Sequence, residues 1–210
     1  MTIIPAFLVH SKEEFQEKLE RVKGVVSHIH VDVMDGIFVP NTTWADPAII
    51  DQCIPEGMTY EAHCMVVDPL RVCSRWGNVR ALSRFIFHTE TIHHVHELLH
   101  CVRPLKKEVW LACNPETSIE KVQKTTRFFD GMLVMGVHPG FSGQQLEESV
   151  IEKIRLLREH HPKLCLSVDG GVNETTAPVL REAGANVLVA ASALFQEKDI
   201  ASAIRKLQRA

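Results

Sequence analysis

Eight short apolar runs punctuate the chain: residues 2–9 (TIIPAFLV), 27–34 (SHIHVDVM), 59–66 (TYEAHCMV), 83–88 (SRFIFH), 108–114 (EVWLACN), 131–137 (GMLVMGV), 164–170 (LCLSVDG) and 186–192 (NVLVAAS). Each is of strand length and rich in apolar and β-branched residues, the pattern of a strand buried on both faces. Amphipathic stretches lie between them. Residues 11–24 (SKEEFQEKLERVKG) set Phe15, Leu19 and Val22 on one helical stripe. Ser11 and Glu14 are spaced as a capping box, and Gly24 is placed as the C-terminal stop. Residues 144–162 and 173–185 repeat the theme, with Asn173 as an N-cap and Gly184 as a stop.

Strand–helix units recurring every 25 residues or so (roughly) without a Gly/Ser-rich linker predict a parallel sheet with helices outside it. Eight such units are what closes a single-domain (β/α)8 TIM barrel, here spanning residues 1–210. An open doubly wound sheet is the structural alternative. No G-x-G-x-x-G follows the first run, which argues against its dinucleotide-binding version.

Composition narrows the function classes. A hydrophobic share of 45% and a charged share of 23% describe a globular chain with a sizeable core. The net charge of −3 is spread along the sequence, and one Tyr and three Trp leave little for base stacking, so nucleic acid is not an expected partner. No apolar run is long enough for a membrane span. The opening MTIIPAFLVHSKEEF has no basic leader region. The six cysteines (Cys53, Cys64, Cys73, Cys101, Cys113 and Cys165) form no C-x-x-C pair, so reduced thiols and a cytoplasmic location are expected.

Candidate chemistry sits inside the apolar runs. His30 and Asp32 are two apart in the second run and so share one strand face. His63 lies toward the end of the third run and Asp169 toward the end of the seventh. In a barrel of this kind the active site is built at the C-terminal ends of the strands. Two imidazoles and two carboxylates gathered there are best satisfied by one divalent cation of the Zn, Mn, Fe or Co type, since unpaired buried carboxylates are costly. Paired His–Asp hydrogen bonds are the alternative reading.

Small-residue loops follow the last three runs: 137–144 (VHPGFSGQ), 169–172 (DGGV) and 190–195 (AASALF). They allow backbone N–H groups to approach an anion, at the usual phosphate position of such barrels. Met34, Met65 and Met135 recur near strand ends as core filler or as a flexible apolar cavity wall. His88 and Glu90 read either as residues behind the mouth or as a helix cap. Asn114 either touches substrate or shapes its loop. His93, His96 and His100 read as one exposed helical face.

The segments HVDVMDGIFVPN (30–41), HCMV (63–66), FHTE (87–90), LACNPET (111–117), VMGVHPGFSGQ (134–144), VDGGVNETT (168–176) and AGANVLVAASALF (183–195) resemble, in order and over nearly the whole chain, the ribulose-phosphate 3-epimerase family. The resemblance implies epimerisation at C3 of a ketopentose 5-phosphate, D-ribulose 5-phosphate to D-xylulose 5-phosphate, through an enediolate. It places the divalent ion on His30, Asp32, His63 and Asp169, with Asp32 and Asp169 as the acid–base pair. Met34, Met65 and Met135 would line the substrate pocket. Ser142, Gly143, Gly170, Gly171, Ala191 and Ser192 would hold the phosphate. A homo-oligomer, dimer or larger, is implied by analogy.

Four positions depart from the family pattern: Ala6 where Ser is usual, His138 where Asn or a similar residue is usual, and Ser142 and Ala191 where Gly is usual. A hexulose-6-phosphate 3-epimerase and a non-catalytic phosphosugar-binding protein therefore stand as the rival readings. A metal-free decarboxylase of similar barrel type is disfavoured, because Met34 occupies the place of its lysine.

Overall fold

The computed structural model describes residues 1–210 and closes the eight strands into a parallel barrel in sequence order. The strands are β1 (Thr2–Phe7), β2 (His28–Met34), β3 (Thr59–Met65), β4 (Leu82–His88), β5 (Glu108–Cys113), β6 (Gly131–Met135), β7 (Leu166–Asp169) and β8 (Val187–Ala190). Helices α1 (Lys12–Val22), α2 (Pro47–Cys53), α3 (Pro69–Trp76), α4 (Val95–Val102), α5 (Ile119–Thr126), α6 (Ser149–His160), α7 (Thr176–Ala183), α8 (Ser192–Phe195) and α9 (Ile200–Arg209) alternate with them. This is the expected (β/α)8 TIM barrel, as one domain. No helix is long and apolar enough to cross a membrane, and all six cysteines are free.

The local signals explain the boundaries. Ser11 Oγ accepts the Glu14 N–H at 3.1 Å and starts α1. The Glu14 carboxylate reaches His10 N at 2.7 Å, one residue earlier than in a reciprocal capping box. Phe15, Leu19 and Val22 are the buried stripe, and Gly24, at φ +76°, turns the chain out of the helix. Asn173 caps through the N–H groups of Thr175 and Thr176, just ahead of α7. The expected helix over 144–162 is shorter, starting at Ser149. Gln144 Nε2 instead donates to the carbonyls of His138 and Phe141, both at 2.8 Å, and folds 136–148 as a loop. His93 likewise precedes α4, so the three histidines do not share a helix.

Two apolar layers hold the barrel. The larger lies between strands and helices, with Phe7, Ile29, Val31, Phe85 and Leu111 facing Phe15, Ile50, Leu98 and Ile154 among others. The smaller fills the bore with Ile4, Ala6, Ile86, Trp110, Ala112, Leu133, Met135, Val187 and Val189. Gly131 makes room for the Trp110 indole, since a Cβ there would collide with the ring. Alternation along each strand therefore decides which side chains enter the bore. At β2 these are His30 and Asp32, at β3 Glu61 and His63, and at β7 Ser167 and Asp169.

Candidate active site

Strand register assembles the polar cluster. His30 lies opposite Glu61, Asp32 opposite His63, and Asp169 opposite Met135. One ligating atom from each of His30, Asp32, His63 and Asp169 falls within 4.8 Å of all the others. His30 and His63 are fully buried, while Asp32 and Asp169 reach the cavity above them. The four residues singled out in the sequence are thus brought together, at the C-terminal end of the barrel.

The individual distances show what holds the cluster. Asp32 Oδ1 lies 3.3 Å from both His63 Nδ1 and His30 Nε2. Asp169 Oδ2 lies 3.4 Å from His63 Nδ1 and 3.6 Å from His30 Nε2. His30 Nε2 makes no hydrogen bond despite being buried. Its other nitrogen, Nδ1, donates to Glu61 Oε1 at 2.6 Å. A carboxylate only accepts, so Nδ1 keeps a proton, and in the neutral ring the Nε2 lone pair points at the cluster. That orphaned lone pair, beside two carboxylates and a second imidazole, fits a divalent cation of the Zn, Mn, Fe or Co class.

A column of charge lies beneath. Glu61 is buried, and its Oε2 receives Arg84 Nη1 at 2.5 Å and His28 Nε2 at 3.3 Å. Arg84 in turn pairs with Glu108 at 2.8 Å and lies 3.8 Å over the Trp110 ring. Burial alone would raise the Glu61 pKa, but the bonds from His28 and His30 and the Arg84 charge hold it well below the usual range. Sequence reading missed Glu61. The signal was there, since E-x-H on β3 mirrors H-x-D on β2 and puts Glu61 on the inner face.

Charge balance also sets the protonation of the cluster itself. Burial alone would strip the proton from His30, but Asp32, Glu61 and Asp169 outweigh it and hold its pKa well above 6.5. Asp169 and Asp32 do the same for His63 against its burial. Asp32, whose burial would raise it, is pulled well below 3.8 by the same two imidazoles. The cluster is therefore a place that attracts positive charge. Behind it His88 Nε2 meets His63 Nε2 at 2.9 Å, and His88 Nδ1 meets Glu90 Oε2 at 3.1 Å. Burial lowers the His88 pKa.

One cavity of about 290 Å³ opens above the cluster. Asp32, Asp169, Met34, Met65 and Met135 line it, together with Ser142, Gly143, Gly170, Gly171, Ala191 and Ser192. All the expected pocket and phosphate positions thus face one space. Leu8, Gln144, Gln145 and Val189 also line it and had no distinguishing sequence signal. Asn114 does not line it; its N–H donates to Glu90 at 3.0 Å, so it shapes its loop. Gly171, at φ +68°, could not carry a Cβ, which would stand 2.6 Å from Leu146 Cα.

Comparison with known proteins agrees. A sequence model described as the ribulose-phosphate 3 epimerase family matches residues 2–195. The ribulose-phosphate 3-epimerase of Aquifex aeolicus is 33% identical over 192 residues, covering 89% of this chain and 86% of that one. Its namesake from Bacillus subtilis is 35% identical over 192 residues, covering 89% and 88%. Among solved structures, 3-hexulose-6-phosphate synthase from Salmonella typhimurium superposes with a TM-score of 0.77 at 15% identity, over 100% of this chain and 97% of that one, a likeness of fold alone. The chain belongs to the ribulose-phosphate 3-epimerase family and is an isomerase of that family.

Proposed function

We propose that the protein interconverts D-ribulose 5-phosphate and D-xylulose 5-phosphate, with Asp32 and Asp169 as acid and base and a divalent ion held by His30, Asp32, His63 and Asp169. The observation that carries this reading is the convergence of those four ligating atoms at the floor of a cavity whose upper wall is a cup of small residues. Its only charged lining residues are Asp32 and Asp169. A phosphosugar anion approaching two carboxylates is repelled unless positive charge lies with them, which supports the ion. When bound, the ion supplies Lewis acidity to the developing enediolate and a template for the sugar oxygens.

The protein's own groups do the rest. Epimerisation next to a ketone removes the C3 proton and returns a proton to the opposite face. One aspartate takes the proton while its partner, protonated, delivers one, and the roles exchange with direction. Both acids face the same two imidazoles, Asp32 Oδ1 and Asp169 Oδ2 each lying within 3.3–3.6 Å of His30 Nε2 and His63 Nδ1. Met34, Met65 and Met135 form an apolar wall that keeps water from the reacting carbons. Ser142, Gly143, Gly170, Gly171, Ala191 and Ser192 supply hydroxyl and backbone N–H groups to the phosphate; no Lys or Arg lines the cup.

The test is coupled turnover of ribulose 5-phosphate by the chelator-treated protein before and after adding back each ion, with C3 deuterium uptake from D2O as a second readout. Ion-dependent turnover with C3 labelling is expected. Full turnover after exhaustive chelation overturns the metal reading, and absence of turnover with every ion overturns the epimerase reading. A higher kcat/KM for a hexulose 6-phosphate moves the substrate assignment.

A further inference from the structure

Two histidines converge on the same point but are backed differently. His30 leans on a carboxylate, Glu61, whereas His63 leans on a second imidazole, His88. The His63 and His88 rings are nearly parallel, at 16°, with centroids 5.1 Å apart. That separation is what the 2.9 Å Nε2–Nε2 distance plus one ring radius on each side adds up to. The rings therefore meet edge to edge in a shared plane, the geometry of an N–H···N bond and not of face-to-face stacking.

The polarity of that bond is set farther out. Glu90 accepts at Oε2 from His88 Nδ1, and at Oε1 from the Asn114 N–H at 3.0 Å and from the Thr117 hydroxyl. The loop carrying Asn114 is anchored from α6, where buried Lys153 Nζ donates to the carbonyls of Asn114 at 2.8 Å and Pro115 at 2.6 Å. A carboxylate filled by donors fixes the proton of a neutral His88 on Nδ1, so His88 Nε2 must accept. His63 then carries a proton on Nε2, and in the neutral ring its Nδ1 lone pair faces Asp32 and Asp169. Phe38, 4.8 Å from the His88 ring, closes the box, and His88 is wholly buried.

We infer that His88 and Glu90 are positioning residues that lock His63 in the Nε2–H tautomer, and so present Nδ1 to the divalent ion. The inference rests on the metal reading above. A neighbour that fixes a ligating imidazole's tautomer is worth about 10–100-fold in metal affinity. Ion affinity of the stripped, full-length protein is measured by competition titration for wild type, His88→Leu, His88→Gln and Glu90→Gln, beside the ion-free melting temperature and kcat and KM at saturating ion. His88→Leu should weaken the ion by about 10–100-fold, and His88→Gln, which keeps an acceptor near the Nε2 position, should return it to within about threefold of wild type. Glu90→Gln should weaken it as well, because an amide N–H₂ turned to His88 reverses the chain. KM for the sugar should stay unchanged. In the wild type with zinc bound, long-range ¹H–¹⁵N spectra should show the His63 proton on Nε2.

A purely structural role would lower the ion-free melting temperature and leave ion affinity alone. Affinity within about twofold of wild type in His88→Leu overturns the inference; if that variant does not fold, the same result in Glu90→Gln does. A wild type that takes up no divalent ion overturns the metal reading itself, and the inference with it.

Discussion

Replacing Glu61 with Gln tests whether the column beneath the cluster holds the site together. In the wild type the carboxylate serves His30 at 2.6 Å on one oxygen and Arg84 at 2.5 Å on the other. An amide has one acceptor and one donor, so one partner must face an N–H₂ group. If the oxygen stays on Arg84, His30 has to accept at Nδ1, and its Nε2–H then points into the ion site. If the oxygen turns to His30, the N–H₂ group meets the Arg84 guanidinium; in either orientation Arg84 loses its buried counter-charge. Breaking a buried ion pair from one side costs about 3–5 kcal/mol. Arg84 keeps Glu108 at 2.8 Å and its side chain is 18% exposed, so the lower end applies, about 3 kcal/mol. At about 2–4 °C per kcal/mol for a chain of this size, the ion-free melting temperature falls by about 6–12 °C. Ion affinity falls by about 10–100-fold in parallel. Calorimetry and competition titration read the two effects separately, and adding Arg84→Met to Glu61→Gln should cost less than the two single changes summed. A melting temperature within about 2 °C of wild type, with unchanged ion affinity, refutes the argument that Glu61 orients His30.

Asp32→Asn and Asp169→Asn should each abolish epimerisation in the coupled assay while leaving the barrel folded by circular dichroism; turnover near the wild-type rate in Asp169→Asn sinks the two-base scheme. The raised pKa values of His30 and His63 add stability to the ion-free protein that is complete below 6.5 and fades as pH rises through the raised values. Ion binding needs those imidazoles neutral, so its affinity climbs over the same range, and the melting-temperature gap between ion-loaded and chelated protein should widen toward alkaline pH. A gap that narrows contradicts it. Gly171→Ala should raise KM for the sugar more than it lowers kcat, because its Cβ would press on the Leu146 backbone at 2.6 Å. Gly143→Ala, with φ +81° and open space around it, should cost only about 1–2 kcal/mol of backbone strain.

How much of this was legible in the chain follows from what each signal measures. Strands of a closed barrel are apolar on both faces, so β2 and β3 stand out almost to the residue. The sequence runs overshoot β7 and β8: residues 164–170 contract to Leu166–Asp169 and 186–192 to Val187–Ala190, the trimmed residues being half-buried or exposed and outside the ladder pairing. Helix α6 was read too early, since Gln144 fits a helical pattern until its side chain caps the carbonyls of its own loop. The four converging residues were legible because a polar residue inside an apolar strand is anomalous. Glu61 is equally anomalous in an apolar strand, but it sits two residues before His63, farther from the strand end where the chemistry of such a barrel gathers. The His63–His88–Glu90 chain needs neighbouring strands in register, which no single stretch of sequence displays.

The departures from the family pattern fall where the backbone tolerates a side chain. Gly143, Gly170 and Gly171 keep left-handed φ values of +81°, +94° and +68°, where a Cβ is strained. Ala191 instead sits at φ −106°, so its methyl group adds no backbone strain. Its methyl enters the same cavity as Ser192 and Asp169. Ala6 lies opposite His30 in the register and lines that cavity too, with a methyl where a hydroxyl is usual. None of these changes replaces one of the four groups beneath the cavity. Under the proposed function, Ala6 and Ala191 alter instead what would meet the ligand at its two ends, near the reacting oxygens and at the phosphate. The scaffold and the four converging groups therefore argue for the proposed chemistry, and under that reading Ala6 and Ala191 are the lining positions to exchange, as Ala6→Ser and Ala191→Gly, when the preference between ketose phosphates is measured.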